Sequence, residues 1–206
     1  MGSFRNSTSD RWKVFPGILR DRIVECRYWK EKCFALSIES LIDRAAELSY
    51  FGFSYGDSSR PTPYLCLLAK LVQLDPDIDT LMCFLEFSAG RPSNDTLTQR
   101  RDLRYLRALT MAYIRLACNP ATIYRVLDGL TCDYRNLLLI TPSGTFSTIA
   151  VDEFIDLLLD PINKPVYGFI FPQLTKRQLL VSRHELHEYK SVLDSELVYD
   201  WLGSIV

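Results

Sequence analysis

No apolar run in the sequence reaches the ~20 residues that a membrane-spanning helix requires. The opening stretch Met1–Asp10 is polar and lacks the apolar segment of a secretory signal. A basic excess is missing too: the formal net charge is −1, whereas a general nucleic-acid binder carries a basic footprint. There is no Walker loop and no dinucleotide fingerprint. None of the six cysteines (Cys26, Cys33, Cys66, Cys83, Cys118 and Cys132) forms a C-x-x-C pair, which disfavours a zinc ribbon or a thioredoxin-type site. The cysteines are therefore expected to be reduced, buried small hydrophobes of an intracellular protein. Repeats and low-complexity tracts are absent. Neither a metal nor a cofactor is expected.

What remains is an ordinary globular composition. The 206 residues are 48% apolar and 24% charged, enough for one domain with a substantial core. Residues 1–13 read as a loose tail and 14–206 as a single helical domain. Ser37 is positioned to cap a helix over Ile38–Ser49, with Leu41, Ile42, Ala45 and Leu48 on one face. Thr62-Pro63 places a cap before a proline at the first helical position. The same grammar recurs at Asp75-Pro76 and Asn119-Pro120. The helix after Pro63 is apolar nearly all round, hence central. Thr98–Ala117 is the longest amphipathic stretch: Leu103, Leu106, Thr110, Tyr113 and Ala117 follow one stripe, and Arg100, Arg104, Arg107 and Arg115 mark another side. Residues 136–151 read as a β-hairpin around Thr141-Pro142-Ser143-Gly144, after which Asp152 is expected to cap EFIDLLL. Asp160–Pro172 looks irregular, and helices are expected over Gln173–Val181 and His184–Trp201. The fold class is all-α, a multi-helix domain with one small hairpin.

Several patterns suggest chemistry and are outweighed by plainer accounts. Gly52-Phe53-Ser54-Tyr55-Gly56 fits the G-x-S-x-G nucleophile elbow, but that elbow needs a strand before the serine and a helix directly after it. Here a helical pattern precedes it and a loop follows, so the glycines read as chain-turning positions. His184-Glu185-Leu186-His187 resembles a zincin motif with its histidines three rather than four apart. Asp152, Glu153 and Asp156 fit a cap and favourable partners of a helix dipole better than an acid–base pair. The arginine stripe has two readings beyond a solvated face, a docking surface for acidic peptide segments and one for RNA phosphate.

Taken in order, several runs resemble the pre-mRNA-splicing factor 38 family. They are Arg27-Tyr28-Trp29-Lys30-Glu31-Lys32-Cys33-Phe34, Asp43-Arg44-Ala45-Ala46-Glu47-Leu48 and Arg60-Pro61-Thr62-Pro63-Tyr64-Leu65-Cys66-Leu67. Arg104-Tyr105-Leu106-Arg107-Ala108-Leu109, Tyr113-Ile114-Arg115-Leu116, Asp133-Tyr134-Arg135, Val151-Asp152-Glu153-Phe154-Ile155-Asp156 and Lys176-Arg177 continue the series. Their order and spacing, over about residues 18–180, carry the resemblance. Departures fall at Phe53 and Asp57, in a longer loop over Ser88–Gln99, and at Gln173.

The resemblance implies an all-α domain with a small hairpin. It also implies a non-enzymatic, nuclear scaffold of the pre-catalytic spliceosome, associated with the tri-snRNP and required for activation. Implied partners are a microfibrillar-associated-protein-like factor and a zinc-finger splicing protein. Arg104, Arg107 and Arg115 are the candidates for acidic-partner contacts, with Tyr134 and Arg135 extending the surface. The competing assignment has these arginines bracing the fold by closing carboxylate pairs or stacking on aromatic rings. Direct RNA binding through the stripe of the 98–117 helix is the alternative function.

Overall fold

Short polar side chains set four of the described helix starts. The computed structural model describes residues 12–56, 58–89, 103–162 and 164–188. Ser37, Thr62, Asp77 and Asn119 each accept a backbone N–H from the residue three ahead, at 3.3, 3.0, 3.2 and 2.8 Å. These bonds satisfy donors that the first helical turn leaves without an internal partner. They open α2 (Ile38–Ala46), α3 (Pro63–Leu74), α4 (Ile78–Phe87) and α6 (Pro120–Asp128). Before them lie α1 (Gly17–Glu25) and a π-helical turn, Trp29–Cys33. Between α4 and α6 runs α5 (Arg104–Ala117), and α7 (Val151–Leu159) follows the hairpin.

Two expected starts move. Asp75 closes α3 in the left-handed conformation, φ 50°, and Asp77 caps the next helix instead. Asp152 sits inside the first turn of α7 rather than capping it, while Glu153 reaches back to the Ala150 N–H at 3.1 Å.

The hairpin forms over the expected residues: β3 (Asn136–Ile140) pairs antiparallel with β4 (Phe146–Ala150). A second antiparallel pair, unforeseen, joins β1 (Ser54–Tyr55) to β2 (Arg60–Pro61). Phe51 also bridges to Leu139 in parallel, donating to the Leu138 carbonyl at 2.8 Å and accepting from the Ile140 N–H at 2.9 Å. The described residues are thus mostly helical with two small antiparallel sheets. Ser54 lies in a two-residue strand followed by a turn, so the strand–turn–helix of a nucleophile elbow does not form.

Contacts divide the chain into two units, Met1–Leu174 and Thr175–Val206. In the first, α3 and α5 are central. Every residue from Tyr64 to Val72 is buried, as is every residue from Tyr105 to Leu116. Helices α2 and α4 and the hairpin-following α7 pack around α5, and α1, α2 and the π-turn pack on α3. Each fully buried leucine among them contributes roughly 1.5–3 kcal/mol of hydrophobic stabilisation. Lys70, the cation within α3, is nine-tenths buried and finds the Phe34 carbonyl at 3.0 Å and Gln73 Oε1 at 3.1 Å. An aromatic cluster adds to this core: Phe53 stacks on Phe169 with centroids 4.7 Å apart, and Phe51 meets Phe154 edge-on at 5.1 Å.

In the second unit the described helix is α8, Arg177–Ser182, shorter than the expected Gln173–Val181. His184–Glu188 is not helical, and His184 has φ 58°. The rest of the expected His184–Trp201 helix lies outside the described residues. So do most of the Ser88–Gln99 loop, Arg100, and the first residues of the expected 98–117 helix. No described helix is long and apolar enough to cross a membrane.

Candidate functional site

The expected arginine face is not an open stripe. Because α5 is surrounded by other elements, Arg107 and Arg115 are buried, only 6% and 5% exposed. Each turns to a carbonyl in the last turn of another helix, a group that no intrahelical N–H satisfies. Arg107 Nη1 donates to Leu85 O of α4 at 2.9 Å. Arg115 Nε donates to Leu158 O of α7 at 2.8 Å, and its Nη2 to Pro172 O at 2.6 Å. The Arg115 guanidinium also lies 5.6 Å from the Phe171 ring centroid. Burial draws both guanidiniums below the usual arginine value, and for Arg107 the charge of Asp133 opposes that effect. Cations at helix C-termini are favourable partners of the macrodipole. These two side chains have the geometry of braces.

Arg107, Tyr134 and Arg135 come together at one place, with Arg104 beside them. Asp133, which the sequence did not single out as a site residue, is the centre of this arrangement. Its carboxylate forms an ion pair with Arg107, whose Nε lies 2.8 Å from Oδ2 without a hydrogen bond. It accepts two hydrogen bonds from Arg135, Nε to Oδ1 at 2.9 Å and Nη2 to Oδ2 at 2.6 Å. Arg135 Nη2 also donates to the Ser88 carbonyl at 2.8 Å, just past the end of α4. Burial pushes the Asp133 carboxyl up, but the hydrogen bonds and charge of Arg135, with the charge of Arg107, bring it below its ordinary value. Arg104 Nη1 donates to Asn136 O at 2.6 Å, one residue along the chain. Arg115 belongs elsewhere, against α7 and Pro172.

Around this ion-pair knot opens a cleft of about 420 Å³. Its walls include Ala89, Leu130 and Cys132 besides Arg107, Asp133 and Arg135. Tyr134 stands on the rim with 71% of its surface exposed. The loop between α6 and β3 presents that ring because both flanking residues, Asp133 and Arg135, are tied inward. Such a site offers an aromatic contact, an apolar wall and hydrogen-bonding edges, with the exposed Cys132 thiol among its lining residues. No set of three or more His, Cys, Asp or Glu side chains able to hold a metal occurs among the described residues. The signal for Asp133 was present in the sequence as Asp133-Tyr134-Arg135, a short acid–aromatic–base run in a loop.

A family model described as the PRP38 family matches residues 6–184. Pre-mRNA-splicing factor 38A of Xenopus tropicalis is 36% identical over 180 residues, covering 87% of this chain and 53% of the relative. Pre-mRNA-splicing factor 38 of Drosophila melanogaster is likewise 36% identical over 180 residues, with 87% and 50% covered. The chain spans about half the length of these curated relatives. Among solved structures, a chain of the Snu23-Prp38-MFAP1(217-258) complex of Chaetomium thermophilum superposes with a TM-score of 0.78 at 30% identity. That likeness covers 94% of this chain and 95% of the other. Both the fold and the sequence runs that suggested it lead to one conclusion: this chain belongs to the PRP38 family.

Proposed function

We propose that this protein is a nuclear, non-enzymatic scaffold of the pre-catalytic spliceosome, associated with the tri-snRNP and required for activation in pre-mRNA splicing. Its partners are a zinc-finger splicing protein and a microfibrillar-associated-protein-like factor. The observation that carries this reading is the likeness, along nearly the whole chain, to a chain solved in complex with Snu23 and MFAP1. A helical domain with preformed clefts suits the capture of short partner segments. We assign one such segment to the cleft beside Tyr134. The Asp133 knot holds the loop, the exposed ring supplies rigid contact area, and Leu130 and Ala89 line the floor. Arg104 and Arg135 contribute polar edges to that surface.

The test is titration of the purified chain with each partner segment by calorimetry. An aromatic anchor contributes about 1–2 kcal/mol or more to an interface. Tyr134→Ala is therefore expected to weaken one of the two partners about tenfold while leaving the melting temperature unchanged. Unaltered affinity for both partners removes the cleft from the interface. Failure of both partners to bind the unmodified chain overturns the scaffold reading itself.

A further inference from the structure

Cys26 follows the last residue of α1, and its side chain rests against the first turn of α3. The Cys26 and Cys66 sulfurs are 3.4 Å apart, although the residues are forty positions apart in sequence. Cys66 is completely buried, whereas Cys26 is partly exposed. We propose that Cys26 and Cys66 form a reversible oxidation site for hydroperoxides, in which Cys26 is the attacking thiol and Cys66 resolves it to a disulfide.

The geometry separates the two roles. The partly exposed sulfur of Cys26 can be reached from solvent, whereas the buried Cys66 sulfur is shielded from it and lies 3.4 Å from Cys26. Cys26 Sγ accepts a hydrogen bond from the Trp29 N–H at 3.4 Å, so the chain past α1 folds back over it. The Cys66 thiol and this N–H together favour the Cys26 thiolate, and the Lys30 charge adds to them against the opposing effect of burial. The same contact and burial drive Cys66 the other way, keeping it protonated. A disulfide needs a sulfur separation near 2.05 Å, roughly 1.4 Å less than the present one, a closure on the scale of side-chain rotation.

The chemistry balances with hydrogen peroxide as the oxidant. The Cys26 thiolate attacks one peroxide oxygen, the O–O bond breaks, and the departing hydroxide takes a proton to leave as water. Cys26 is then a sulfenic acid. The Cys66 sulfur attacks the Cys26 sulfur, the S–O bond breaks, and hydroxide leaves with the Cys66 proton as a second water. Two thiols have lost two electrons to the peroxide, and a dithiol reductant reverses the step. The product ties α1 to α3 and pins the N-terminal part of the chain to the core.

Peptide mapping of the full chain under non-reducing conditions, after graded hydrogen peroxide, tests the proposal. The expected result is a Cys26–Cys66 linked peptide that forms before the exposed Cys83 and Cys132 are modified and disappears on reduction. The melting temperature of the oxidised chain should rise by several degrees and fall back with reductant. Cys66→Ala, which also removes the neighbour that favours the Cys26 thiolate, should let Cys26 oxidise more slowly and stop at a sulfenic acid that a dimedone-type probe labels. Cys26→Ser should abolish both products. Should Cys66→Ala not fold, the map of the unmodified chain still decides. Oxidation confined to Cys83 and Cys132, or a disulfide joining Cys33 to either thiol, overturns the assignment.

Discussion

Arg115 shows what a buried charge does when it meets carbonyls rather than a carboxylate. Its guanidinium is held by Leu158 O, Pro172 O and the Phe171 ring. A hydrogen bond from a charged donor contributes about 1.5–3 kcal/mol, and a buried carbonyl left without one costs a similar amount. Arg115→Ala should therefore lower unfolding free energy by about 2–4 kcal/mol, measured by urea denaturation. Arg115→Lys should recover only part of it, because one ammonium cannot reproduce the planar fork that spans two carbonyls. Asp133 is the complementary case. Removing the charge of a buried carboxylate that holds two guanidiniums leaves them uncompensated, a loss of about 3–5 kcal/mol for Asp133→Asn at neutral pH. The folded carboxyl titrates below its ordinary value. Its stabilisation is therefore present above the unfolded value near 3.9 and is lost as pH falls through the lower folded value. Denaturation of wild type and Asp133→Asn across pH 7 to 2.5 should show the gap narrowing below about pH 4. A constant gap would mean that the carboxylate charge is not what holds the knot.

Among the elements, punctuation was the most legible part of the sequence. Ser37, Thr62-Pro63 and Asn119-Pro120 begin helices where their chemistry says they should, since a cap acts on backbone within three residues. Asp75-Pro76 misled because two nearby aspartates divide the work: Asp75 ends one helix in a left-handed turn and Asp77 starts the next. The arginines of α5 misled for a different reason. Their carbonyl partners are twenty-two and forty-three positions away, so local spacing cannot tell a solvated arginine from one that closes the end of another helix. Of the site, Tyr134 and Arg135 were visible as side chains, but the carboxylate that joins Arg135 to Arg107 became meaningful only with α5 in place. The glycine-rich turn before β1 gives an element-scale prediction. Gly52 has φ 146°, and a Cβ there would lie 2.7 Å from both the Ile140 side chain and the Ile140 carbonyl. Gly52→Ala should thus disrupt the pairing of Phe51 with β3 and cost about 1–3 kcal/mol, read by thermal melting. Adding Ile140→Ala should restore little, because the carbonyl oxygen still obstructs the new methyl.

For the whole molecule, the question is whether the ligand is protein or RNA. The formal charge is −1, so the chain as a whole carries no net positive charge to attract phosphate. Two of the arginines that suggested an RNA-binding stripe, Arg107 and Arg115, are buried with helix-end carbonyls as partners. Turning Arg115 toward a phosphate would take the guanidinium from the Leu158 and Pro172 carbonyls. Turning Arg107 would break its ion pair with Asp133 and leave Leu85 O to Ser88 Oγ alone. These penalties offset the attraction to the phosphate. RNA affinity should then stay within the nonspecific range, about 10⁻⁴–10⁻⁶ M at physiological salt. Fluorescence anisotropy with a structured RNA between about 50 and 200 mM salt measures this directly. The log–log slope should be shallow, fewer than about two phosphates' worth at roughly 0.7–0.9 per phosphate. A partner segment held in the proposed Tyr134 cleft would, by contrast, rest on ring packing and short-range hydrogen bonds, which salt screens far less than exposed ion pairs. Nanomolar RNA binding with a steep salt slope would instead show that basic residues outside the Arg107 and Arg115 braces make this family member an RNA-binding protein. Equal salt sensitivity of the two ligands would show that the protein interface, too, is held by charge rather than by the tyrosine.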